Sequence, residues 1–186
     1  MQTIEPAICR LKPIDARQIS PEVRATLDKF HLGPVETSNF LRVLAKSLAA
    51  MRAYAEAEHA LAGGQLTATQ RKQIALAVAE INGSDYCLAT HSKTAGDTNL
   101  SDADIQLARQ ASAADGKADA MLRFTQAVVL QRGEIKDDEL CLVRQAGFTE
   151  TEIIEIVANI ALNIFTNYLA IISKTGADFP ARPAAT

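Results

Sequence analysis

The sequence predicts an all-α protein, a bundle of helices joined by short connections. Three observations carry that reading. Alanine and leucine are abundant, tryptophan is absent and aromatic residues make up only 5% of the 186 residues, a composition that suits helix better than strand. Apolar residues recur three and four positions apart through several segments, and no alternating pattern persists. Segment starts carry Ser or Thr followed by acidic or amide residues, and segment ends carry glycine, as helix caps require.

Taken in order, residues 1–19 read as an irregular arm interrupted by Pro6 and Pro13. Ser20-Pro21-Glu22 starts a helix, with Ser as cap and Pro at the first helical position; it runs to about Phe30 and ends near Gly33-Pro34. A longer pattern follows from Glu36 to Leu61, with Phe40, Leu41, Leu44, Leu48, Met51 and Tyr54 at helical spacing, and Gly63-Gly64 stops it. Thr67 and Gln70 form a capping box for a helix to Ile81 that is apolar on most sides and therefore buried. Asn82-Gly83 breaks it, and Ser84 is placed to cap the next helix, putting Cys87 at its third position and His91 one turn on. Ser101 to Asp104 opens a short helix. Residues 117–131 form another, with Met121, Leu122, Phe124, Val128 and Val129 for the core. Lys136 to Gln145 is short and closed by Gly147. Thr149 to Glu152 is a second capping box leading into the longest apolar helix, Ile153 to Ile172. The expected organisation is thus an arm (1–19), one helical domain (20–175) and a tail (176–186) holding Pro180 and Pro183.

Composition excludes several function classes. The net charge is −3, with acids and bases mixed along the chain, so no basic surface for nucleic acid is expected. No uninterrupted apolar run approaches the ~18 residues of a membrane span, so no membrane partner is expected either. The first residues lack the basic and apolar segments of a signal peptide, which makes the cytoplasm the expected compartment. Three cysteines, Cys9, Cys87 and Cys141, are too few and too odd in number for a disulfide scaffold. Cys141 reads as a small core residue.

The candidate chemistry lies in Ser84-Asp85-Tyr86-Cys87-Leu88-Ala89-Thr90-His91. Four residues apart on a helix, Cys87 and His91 project from one face. The histidine can share a proton with the thiol, and a helix N-terminus favours the thiolate, the form that attacks peroxides and disulfides. The competing reading is a buried structural cysteine beside an ordinary histidine. Two such residues are too few for a structural zinc site, which takes four ligands, and neither metal nor cofactor is expected. Asn159, Asn163 and Asn167 repeat every fourth residue. They line a polar pocket, face a subunit or bond between helices, and the last reading is preferred.

The stretch from Arg71 to His91, with its helix, its Asn82-Gly83 break, its thiol and its histidine in register, resembles the core motif of the AhpD-like alkylhydroperoxidases, within the carboxymuconolactone decarboxylase superfamily. Ala146-Gly147-Phe148-Thr149-Glu150, Asn163 to Tyr168 and Asp178-Phe179-Pro180 look like its peroxidase-related branch. The resemblance covers about residues 20–180. It implies an AhpD-like helical bundle that forms a homo-oligomer (dimer, trimer or hexamer), a hydroperoxide substrate and an external thiol reductant.

Two positions depart from the motif. The first motif cysteine falls on Ser84, and the acidic proton relay falls on Lys72. No disulfide can form within the motif, so the resemblance implies Cys87 as sole peroxidatic thiol and His91 as proton relay. Glu80 is the nearby acid that could replace the relay, although the break at Asn82-Gly83 disturbs its alignment with Cys87 and His91. An ammonium at Lys72 would lower the pKa of a nearby thiol; the alternative is a solvated surface lysine. Ser84 itself fits a natural one-cysteine site, a relative without redox chemistry, or a laboratory substitution. The functional expectation is a thiol-dependent hydroperoxide reductase-like protein. A decarboxylase-type enzyme working by proton transfer and a redox-inactive oligomeric binding protein are the alternatives.

Overall fold

The computed structural model describes residues 10–32, 38–176 and 178. Among them every regular element is helical: α1 (Pro21–Lys29), α2 (Asn39–Leu44), α3 (Leu48–Ala62), α4 (Ala68–Ile81), α5 (Asp85–Thr94), α6 (Asp102–Arg109), α7 (Gly116–Leu130), α8 (Asp137–Gln145) and α9 (Glu150–Ser173). The expected caps form. Ser20 Oγ accepts the amide of Val23 at 3.3 Å, and both Thr67–Gln70 and Thr149–Glu152 close as capping boxes.

One expected helix is two. The pattern read from Glu36 to Leu61 breaks at Ala45-Lys46, and α2 and α3 are each started by a serine, Ser38 and Ser47, whose hydroxyl accepts an amide three residues on. Neither Gly nor Pro marks the break, so the apolar spacing ran straight across it. Residues 10–19 lie against the helices. Ile14 N–H donates to Arg42 O at 3.1 Å, Arg42 Nε donates back to Ile14 O at 2.8 Å, and Ile19 is buried.

α4 is the axis of the fold. Its residues Gln73 to Ala79 are all buried, because the segment is apolar on every side and packs against α5, α6, α7 and α9. Two apolar clusters result. One joins α4 to α6, α7, α8 and α9 around Ile74, Leu76, Met121, Leu122, Ile156 and Ile160. The other joins α1, α2 and α3 to α5 around Val23, Phe40, Leu44, Met51 and Tyr86, and it includes Cys87. Cys141 does not join either. It is exposed on the outer side of α8, which turns Val143 inward instead. Cys9 and residues 179–186 lie outside the described residues.

By length and composition α9 alone among the described helices could cross a bilayer, with a mean hydropathy of 1.6 over its most apolar window. It acts here as a core helix. Ile153, Ile156, Asn159, Ile160, Thr166, Asn167 and Ala170 are buried, while Ile154, Val157, Phe165, Tyr168, Ile171 and Ile172 stay exposed.

Candidate active site

The site grows from the junction of α4 and α5. Gly83 takes a left-handed φ of 65°, which glycine adopts without strain. Gly83 N–H returns to Glu80 O at 3.0 Å and Ser84 N–H to Ala79 O at 2.9 Å, the paired bonds of a Schellman closure. Ser84 therefore ends α4 and begins α5 at once. The expectation that its hydroxyl caps α5 is not met. With its backbone committed to the closure (φ −93°, ψ 87°), the hydroxyl turns into the protein, where it is 2% exposed and has no hydrogen-bond partner.

Cys87 is the third residue of α5 and 4% exposed. Burial pushes its thiol above the usual range, and the polar side chains of Ser84, Asn167 and Thr166 around it act against that rise. Asn167 is fully buried. Its Oδ1 accepts from Asn82 Nδ2 at 3.1 Å, which fixes the amide and leaves Asn167 Nδ2 without a partner. The two side-chain atoms left buried and unpaired among the described residues, Ser84 Oγ and Asn167 Nδ2, thus both belong to residues that surround one sulfur. Asn167 makes the inter-helix bond expected of the asparagine stripe. Asn159 and Asn163 line the pocket, with their amides bonded back to Glu155 O and Asn159 O of their own helix.

Cys87 and His91 open on one cavity of about 550 Å³, walled by α3, α4, α5 and α9 and by Phe40 and Leu41 of α2. His91 is held neutral: removal from water and the charge of Lys72 pull its pKa down to about 3. Lys72 is neither a surface lysine nor a partner of the thiol. It is half-buried in the cavity wall, donates to Thr94 Oγ1 at 2.8 Å, and its charge acts on His91. Glu80 is not in the cavity. It points the other way and pairs with Arg109 Nε at 2.7 Å, because the Schellman turn reverses the chain before the α4 face can continue into α5. Tyr54, Glu58 and Asp178 enter from distant parts of the chain. Tyr86 OH donates to Asp178 Oδ2 at 2.6 Å and pairs with Ser38 Oγ at 3.2 Å, tying the segment after α9 to the start of α2. Burial and Asp178 push this phenol up to about 12. No local signal in the sequence foretold these partners. No group of three or more metal-binding side chains occurs among the described residues.

The family model of the carboxymuconolactone decarboxylase family matches residues 45–129, which span α3 to α7 and contain the whole α4–α5 junction. Over those residues the chain is similar to the carboxymuconolactone decarboxylase family. Solved structures share its fold. A peroxidase-related protein with an alkylhydroperoxidase AhpD core from Ralstonia eutropha JMP134 is 20% identical, covers 91% of this chain and 92% of its own, and has a TM-score of 0.77. A peroxidase-related protein from Silicibacter sp. TM1040 is 22% identical over 95% of this chain and 94% of its own, with a TM-score of 0.71. The debrominase Bmp8 is 16% identical over 90% and 91%, with a TM-score of 0.74, and a variant of it is known with 2,3,4-tribromopyrrole bound. No functionally curated protein matches the chain. The α4–α5 junction departs from the motif it resembles at the two places already visible in the sequence. Ser84 and Cys87 form a serine–thiol pair in place of a dithiol, and a lysine, Lys72, stands over His91 from α4.

Proposed function

We propose that the chain is a one-cysteine, thiol-dependent hydroperoxide reductase. The observation that carries the reading is that Cys87, buried and flanked by two unspent donors, shares a cavity with a neutral histidine one turn away. A neutral imidazole has a nitrogen free to receive a proton, so His91 takes the thiol proton in concert with the attack of the sulfur on the terminal oxygen of ROOH and passes it on without resting as an imidazolium. The O–O bond breaks, Cys87 becomes a sulfenic acid, and RO⁻ takes the proton from His91 and leaves as ROH. In the thiolate that forms before the O–O bond breaks, the amide of Asn167 and the hydroxyl of Ser84 have an anionic sulfur to donate to, the state in which their unpaired donors cease to be a cost. Ser84 forms no disulfide, so one external thiol converts the sulfenic acid to a mixed disulfide with release of water. A second displaces it as a disulfide and restores Cys87.

The test is consumption of cumene hydroperoxide with dithiothreitol, beside Cys87→Ala and Asn167→Leu. Turnover should vanish in the first. In the second, alkylation of Cys87 by iodoacetamide should slow about tenfold, the equivalent of one charge-assisted hydrogen bond of ~1.4 kcal/mol. Turnover absent in the unaltered chain with any small thiol or thioredoxin-like reductant overturns the reading. The second reading is proton-transfer chemistry of the decarboxylase kind, favoured by the lack of a second thiol at Ser84; activity unchanged by Cys87→Ala would select it. We also infer that the chain works as a homo-oligomer, supported by the apolar flank that α9 leaves uncovered.

A further inference from the structure

We propose that the cavity is built for an organic substrate bearing an anionic group, above all a carboxylate, held by the Lys72 ammonium at the far end of the pocket from the Cys87 sulfur. Lys72 Nζ donates to Thr94 Oγ1 at 2.8 Å. The Thr94 hydroxyl spends its own hydrogen on Thr90 O at 3.0 Å, so it serves Lys72 purely as an acceptor and brings no charge. An ammonium has three donors, and among the described residues no carboxylate lies within ion-pairing distance of this one. Arg71, its neighbour in the wall, gives its guanidinium to the carbonyl of Leu66. Glu58 is the acid of the lining that faces this end; burial pushes its carboxyl up, and the charges of Lys72 and Arg71 act against that rise without a direct ion pair. Asp178 is at the other end, engaged with Tyr86 and with the amide of Asn39. Burial works against the charge of this ammonium, and Glu58 and Asp97 offset that only from beyond ion-pairing distance; a carboxylate on the substrate supplies the direct partner.

The spacing selects the substrate further. Thr94 follows Cys87 by seven residues on α5, which at ~1.5 Å per residue places the anchor about 10 Å along the helix from the sulfur. Phe40, Leu41, Tyr54 and Leu162 give the space between an apolar lining. The fit favours an acid whose reacting group sits several carbons from its carboxylate over hydrogen peroxide or a compact neutral hydroperoxide, which reach the sulfur without the anchor.

His91 lies between the two points, one turn from each. The groups facing it are Lys72 and Arg71 from α4, Tyr54 and Glu58 from α3, Cys87 on its own helix, and the neutral amides of Asn159 and Asn163 from α9. Burial is the main cause of the imidazole's low basicity and the Lys72 charge the second; a carboxylate bound at Lys72 cancels the second. The substrate's own anion thereby readies the proton acceptor.

The use of His91 in turnover rests on the reductase reading above; the anion site does not. The experiment is calorimetric binding of decanoate and decanol to the full chain and to Lys72→Gln. Decanoate should bind more tightly than decanol, and Lys72→Gln should remove at least tenfold of that preference while its circular dichroism is unaltered. In turnover, the kcat/KM ratio of a carboxylate-bearing to a neutral hydroperoxide should fall with it. Should Lys72→Gln not fold, protection of Lys72 in the unaltered chain against trinitrobenzenesulfonate by decanoate, and not by decanol, makes the same decision. Equal binding of the two probes, or equal protection, overturns the proposal. Decanoate binding that depends on Lys72 without any Cys87-dependent peroxide consumption upholds the anion site and overturns the reductase.

Discussion

At the scale of single residues, the site is notable for holding its charges apart. The thiol is pushed up and the imidazole down, so near neutral pH the pair rests uncharged. This has a thermodynamic signature. The unfolded chain protonates His91 near pH 6.5, whereas the folded chain resists protonation until about pH 3. Between those values the unfolded state binds more protons, so stability is full above the unfolded pKa and is lost as pH falls through that window. Urea titrations from pH 7 to pH 4 should show a steeper loss for the unaltered chain than for His91→Gln, which has no such group. Parallel curves would show that His91 is not dehydrated in the fold. The sequence made the pair legible, because four-residue spacing and a helix break are local facts. It did not make legible that Ser84 withholds its cap, that Lys72 faces inward, or that Glu80 turns outward to Arg109. Each is decided by the direction in which a turn releases the next helix.

At the scale of elements, the α4–α5 junction is the part on which the site's geometry depends. One left-handed residue closes α4 and starts α5, and Asn82 beside it fixes the Asn167 amide on α9. A side chain at Gly83 meets no neighbour within 4 Å, so the penalty of Gly83→Ala is purely conformational, about 1–2 kcal/mol. Urea denaturation should read that loss, and the iodoacetamide rate of Cys87 should change with it, since the turn sets where the sulfur stands. The helix starts were readable wherever Ser or Thr stood three residues before an amide or acid, as at Thr67 and Thr149. The split between α2 and α3 was hidden because its signal, a lone Ser47 cap, sits inside an unbroken apolar rhythm. The asparagine stripe of α9 was visible as a period of four. Its division of labour, two amides at the cavity and one tying helices together, depends on which neighbours lie opposite and so required the packed structure.

At the scale of the whole molecule, two apolar clusters meet across α4, and the cavity opens where they join. The outer flank of α9 remains apolar, with Ile154 at 69% and Tyr168 at 53% exposure; such a patch marks an interaction surface. If a second copy covers it, the double change Ile154→Glu and Tyr168→Glu will lower the mass measured by light scattering while the helical circular dichroism persists. A monomeric mass for the unaltered chain at micromolar concentration would remove the oligomer from the proposal. The all-helical architecture was legible from composition and periodicity. The cavity was not, because Tyr54, Glu58 and Asp178 reach it from segments whose nearness no local pattern records.

The enclosure of α4 also has a consequence during synthesis. The helix is made early, yet one of its main covers, α9, begins about 70 residues later. At ~5–20 residues per second, the ribosome leaves that apolar rod waiting on the order of 4–14 s for its last wall. The most protected segment of the finished protein is therefore the most vulnerable one while the chain is being born.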